Sequence, residues 1–117
     1  MGDPAIQWED VFRDKVSYLT GQFRSQSRLA AMLAVDRSRV SRWLRTEAPD
    51  VANRHKLESL EFVFSRLQSS VSPSTAEKWL LGMNAHLGNL RPIDLIRDGR
   101  VAEVISALEQ FETGAYA

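Results

Sequence analysis

Between Gln26 and Arg45 the chain reads QSRLAAMLAVDRSRVSRWLR, and no other stretch limits the possible folds as tightly. Wrapped at about 100° per residue, it resolves into two short helices broken by one turn. Leu29, Met32 and Leu33 form the apolar stripe of the first helix; Val40, Trp43 and Leu44 form that of the second. Ala34-Val35-Asp36 supplies the turn, with Asp36 expected to cap the second helix through its side-chain oxygen. The opposite face of that helix carries Ser38, Ser41, Arg42 and Arg45, flanked by Arg37 and Arg39. A helix of this kind must bury one side and can offer the other to phosphates.

Charge is distributed to match. The 117 residues carry 15 basic and 15 acidic side chains, for a formal net charge of zero. Residues 1–45 hold eight Lys/Arg against five Asp/Glu, and residues 46–117 hold seven against ten. The positive excess is therefore local: six arginines and one acid lie between Arg24 and Arg45. A basic patch of this kind suits phosphate contacts, and the acidic remainder needs another role. Absence of cysteine excludes disulfides, thiol nucleophiles and thiolate metal sites. No apolar run approaches the roughly 18 to 20 residues of a membrane span. The acidic start MGDPAIQWED lacks a basic-then-apolar leader pattern, so a cytoplasmic location is expected.

Helical spacing continues throughout. Asp3-Pro4 reads as cap and first position of a helix reaching about residue 20, with Ile6, Val11, Phe12, Val16, Leu19 and Trp8 inward, and Gln22 to Ser25 as a basic connector. After the Pro49 linker, a helix is expected from about Val51 to Ser69. Its Leu57, Leu60, Phe64, Leu67 and Val71 form a seam, widened by Phe62 and Val63, that either packs within the chain or pairs with a second copy. Ser74 and Glu77 have capping-box spacing ahead of a helix through Trp79-Leu80-Leu81 that stops near Gly82. The segment MNAHLGNLRP suits tight turns, and Pro92 opens a one-turn helix closed by Asp98-Gly99. A last helix, Arg100 to about Glu112, places Val101, Val104, Ile105, Leu108 and Phe111 on one face and ends at Gly114. The expectation is an all-α chain of six to seven helices: a helix-turn-helix region over 1–50, then a second helical region over 51–117.

Two resemblances sharpen this. Gln26, Leu29, Ala30, Leu33, Val35, Asp36, Ser38, Val40, Ser41, Arg42 and Trp43 resemble the Xre-type helix-turn-helix of phage repressors. The resemblance implies a backbone contact for Gln26 and base-facing positions for Arg37, Ser38 and Arg42, with Arg39, Ser41 and Arg45 alongside. Arginine forks onto guanine or phosphate, and serine can donate to either. Ala34 departs from the glycine usual in the family's turn, and an alanine at positive φ is strained by about 1 kcal/mol.

Further on, Trp79-Leu80, Asn84, Leu87-Gly88, Pro92, Asp94-Leu95-Ile96, Gly99-Arg100 and Val104 occur in the order found in Xre/MbcA/ParS-like type II antitoxins. That resemblance implies a partner, a RES-domain toxin that consumes NAD, and repression of the shared operon. It also implies occlusion of the toxin's active site by the C-terminal end, here Phe111, Glu112, Gly114, Ala115, Tyr116 and Ala117. Trp79, Leu87 and Pro92 read as core. Operator half-sites about 34 Å apart call for a dimer, and Leu57, Leu60, Phe64 and Leu67 are candidates for its interface. The competing reading is a phage-like repressor whose second half only oligomerises; a third is an interaction module that has lost DNA binding. Catalysis is not expected: His55 and His86 have no ligand spacing, the glycines form no phosphate loop, and Glu58/Glu61 and Glu109/Glu112 read as solvated faces. Nor is a cofactor or metal expected.

Overall fold

The structure is a computed structural model that describes residues 8–115. Its helices are α1 (Trp8–Phe23), α2 (Gln26–Leu33), α3 (Arg37–Arg45), α4 (Val51–Gln68), α5 (Pro73–Leu81), α6 (Pro92–Arg97) and α7 (Val101–Ala115), with a 3-10 turn at Ala85–Leu87 between α5 and α6. The all-α expectation holds. Among the described residues β pairing is limited to one isolated antiparallel bridge, Asn84 with Leu90.

The ends of the helices correct several expectations. Helix α1 runs through Gly21 to Phe23, whose ring is 1% exposed, and Arg24 at φ 63° turns the chain out. Burial of Phe23 outweighs the helix penalty of one glycine, about 1 kcal/mol. The start expected near Pro4 lies outside the described residues. Helix α5 begins two residues earlier than the capping-box spacing suggested. Ser72 accepts the Thr75 amide, and Pro73 takes the first turn, where a missing N–H is harmless. Asp36 holds the N-cap position of α3 but makes no side-chain cap bond. Gly114 does not end α7, which continues to Ala115.

Helix α4 is the spine. Leu57, Leu60, Val63, Phe64 and Leu67 are 0% exposed, with α1, α2, α5, α6 and α7 all packed against the helix. Phe23 of α1 meets Phe64 with ring centroids 4.8 Å apart. One apolar core therefore crosses the expected boundary at residue 50. The seam proposed for a second copy is already filled: Leu57, Leu60, Phe64 and Leu67 are buried by their own chain. Phe62 points outward at 46% exposure instead of widening that face.

The turn between α2 and α3 bears out the concern over Ala34, which sits in the left-handed region at φ 57°, ψ 46°. Its amide bonds back to the last turn of α2, to Ala30 and Ala31, in the manner of a helix stop normally made by glycine. Replacing Ala34 by glycine removes strain of about 1–2 kcal/mol, part of which is offset by the freer unfolded chain. The variant is expected to gain about 0.5–1 kcal/mol in urea unfolding; a loss would mean that the alanine methyl packs favourably.

Candidate functional site

Helix α3 gathers the expected DNA residues on one surface. Val40 and Trp43 are buried at 0% and 2%, which fixes the rotation of the helix and turns Arg37, Ser38, Arg39 and Arg45 out, with Ser41 and Arg42 half-exposed. Leu44 packs at the edge of the core. Gln26 stands at the start of α2, where Ser25 caps the helix by accepting the Arg28 amide at 3.2 Å.

Two of these arginines are engaged by acids that follow α3. The Arg42 Nε lies 3.1 Å from Glu47 Oε2, and the Arg39 Nη2 lies 3.3 Å from Asp50 Oδ1. Arg39 also lies over the Trp43 ring, 6.0 Å from its centroid. The Arg45 Nε donates to the Ser41 carbonyl. Among the described residues Arg37 and Arg45 make no ion pair.

The linker presenting those acids is itself held. The amides of Thr46 and Glu47 both donate to the Arg42 carbonyl, at 2.8 and 3.0 Å. Pro49 is buried, and its carbonyl accepts from Arg54 Nε at 2.7 Å. Asn53, the one buried polar residue among those described, is 4% exposed and donates to Asp50 Oδ1 at 2.6 Å. That bond is the main reason the Asp50 carboxyl stays below the usual carboxylate range, with the Arg39 charge adding to it.

The second half of the chain also holds the α2–turn–α3 unit in shape. The last four carbonyls of a helix lack internal partners, and in α2 each one has a partner. Ala30 accepts from Val35 and Ala31 from Ala34. Arg97, from α6, donates to Ala31 at 2.6 Å and Met32 at 2.8 Å, while Lys56, from α4, reaches Leu33 at 3.2 Å. Asp94 braces Arg97 at 3.1 Å and forms a two-point pair with Arg91; these arginines, Arg91 first, lower the Asp94 pKa. Sequence spacing gave no hint of Arg97 or Lys56. Asp50 and Asn53, three apart at a helix start, carried a faint one.

At the other end, the expected toxin-contacting residues divide. Phe111 is half-buried against Trp79, with centroids 6.0 Å apart, and Glu112 pairs with Arg66 of α4. Both therefore anchor α7 rather than standing free. Gly114 is exposed and Ala115 is the last helical residue. Tyr116 and Ala117 lie outside the described residues. Leu87 and Pro92 are buried, as expected of core positions. Asn84 caps the 3-10 turn by accepting the His86 amide, and Gly88 and Asn89 take the left-handed conformations expected of that loop. Among the described residues no helix is long and apolar enough to cross a membrane, and no cluster of His, Asp and Glu could hold a metal ion.

Comparison with known proteins gives this arrangement a family. No family model matches the chain. "Probable mycobacterial cidal antitoxin Rv3188" of Mycobacterium tuberculosis is 33% identical over 92 residues, 79% of each chain. "Mycobacterial cidal antitoxin MbcA" of Mycobacterium bovis is 27% identical over 78 residues, 66% of this chain and 69% of the relative. One chain of the crystal structure of the M. tuberculosis MbcT-MbcA toxin-antitoxin complex superposes with a TM-score of 0.73, covering 89% of this chain and 96% of its own length at 23% identity; the fold is shared. The chain belongs to the mycobacterial cidal antitoxin family and is an antitoxin of a toxin-antitoxin system.

Proposed function

We propose that this antitoxin neutralises a RES-domain, NAD-consuming toxin by seating its C-terminal region in the toxin's active site, and that it represses its own operon through α3. Family membership is the observation that carries the first part. The ordered motifs from Trp79 to Val104 direct it to a RES-type partner. The geometry is favourable: Val104, Ala107 and Leu108 are buried, Trp79 holds Phe111 and Arg66 holds Glu112. Helix α7 is thus a rigid stem leading to residues 115–117, and a rigid stem lowers the entropy lost when a tail docks. The exposed arginines of α3 support the DNA role. A dimeric repressor has to use a surface other than the buried α4 seam.

Co-expression with the cognate toxin, proposed to be a RES-domain enzyme, tests both parts. Growth arrest by that enzyme should be relieved by the intact chain. Arg42→Ala should retain relief while its affinity for the operon promoter falls by about 1–2 kcal/mol, the low side because Arg42 must exchange Glu47 for DNA. Unchanged promoter footprints in an Arg37/Arg42 double variant would sink the α3 assignment.

A further inference from the structure

We propose that Asp50, held by the buried Asn53, is a positioning residue that aims Arg39 at a DNA base and so sets sequence preference. The inference rests on the proposed DNA-binding role of α3. Its physical basis is a relay from core to surface. Asn53 is 4% exposed and donates to Asp50 Oδ1 at 2.6 Å; the same oxygen receives Arg39 Nη2 at 3.3 Å.

A buried amide needs a reason to be there, because an unpaired polar atom in a core is destabilising. The Asn53 Oδ1 has no hydrogen-bond partner, so the amide is satisfied only through its donor side, toward Asp50. Asp50 in turn sits at the N-cap position of α4 without capping it. Its carboxylate, steadied by Asn53, is therefore open to Arg39 as well. The Trp43 ring, itself 2% exposed, bounds the guanidinium on another side at 6.0 Å. Only one Arg39 nitrogen is engaged by Asp50, leaving the remaining N–H donors for a base edge. Holding an arginine at one nitrogen restricts its rotamers before DNA arrives, and pre-ordering of that kind favours the base whose acceptors match.

An acid beside DNA weakens binding to every sequence, so a positioning role separates from a merely electrostatic one. Enrichment from a pool of randomised DNA duplexes, with the full chain at fixed ionic strength, makes the distinction. The wild type should enrich a motif with a preferred base at the Arg39 position. Asp50→Asn should bind the unselected pool more tightly, yet its preference at that one position should fall by about tenfold. Arg39→Lys should lose the same preference, and the double variant should lose no more than either alone. An Asp50→Asn motif as sharp as the wild type's, or additive losses in the double variant, would overturn the inference alone. Failure of the folded wild-type chain to enrich any sequence would overturn the DNA-binding role and this inference with it. Thermal melts showing wild-type stability for Asp50→Asn keep a folding defect from imitating the expected result.

Discussion

Phe64→Ala should lose about 3–5 kcal/mol of stability, a large share of what a small domain has. The ring is 0% exposed and lies against Phe23 at the point where α1 meets α4, so truncation leaves a cavity that neighbours from both halves line. Because one core serves both halves, their signals should disappear together in a urea titration followed by circular dichroism and by tryptophan fluorescence. The titration also separates two roles for the α4 seam. With Phe64 inside its own chain, the loss should be the same at micromolar and at hundred-micromolar protein. A deficit that disappears at high concentration would return the residue to a subunit interface.

Arg97→Ala should cost about 2–3 kcal/mol, more than a surface arginine normally does. Its guanidinium makes two charge-assisted bonds to the final carbonyls of α2, and Ala34 immediately follows in its strained conformation. Removing it leaves the Met32 carbonyl, at a half-buried junction, to find water. Arg97→Lys should recover less than half of the loss, since an ammonium cannot fork across two neighbouring carbonyls. Urea unfolding of both variants checks this. A cost below about 0.5 kcal/mol, the level of an ordinary surface substitution, would mean that α2 is held by its apolar face alone.

Legibility in the sequence followed the range of each interaction. The α2–turn–α3 unit depends on neighbours three and four residues apart, so the buried stripe and the arginine face could be read directly; the strain at Ala34 was legible only through the glycine that the resembling family has in its turn. The C-terminal loop was readable for the same reason, since glycine and asparagine mark left-handed positions. The α4 seam shows the limit. Its periodicity revealed a buried face but not what covers it, because intrachain packing and pairing with a copy demand the same pattern. The Ser74–Glu77 spacing misplaced the start of α5; Ser72 is the cap, and Pro73, which sits comfortably in a first turn, was the better marker of it. Arg97 bonds to Met32 from 65 residues away, a contact that exists only once α4 has brought the halves together. Glu112 shows the converse. Its spacing with Glu109 read as a solvated face and the resemblance implied a toxin contact, but Arg66 pairs with it within the fold.

The proposed occlusion of the toxin by the C-terminal end is tested most directly by the NAD turnover proposed for that toxin. Purified toxin should be titrated with the intact antitoxin and with a chain ended after Gly114, binding being followed in parallel by calorimetry. Since α7 is anchored upstream by Val104, Leu108 and Phe111, the shortened chain should remain folded and still bind. The intact chain should stop NAD consumption at stoichiometric amounts, while the shortened one, bound, should leave most turnover in place. Equal inhibition by both chains would contradict occlusion by the C-terminal tail.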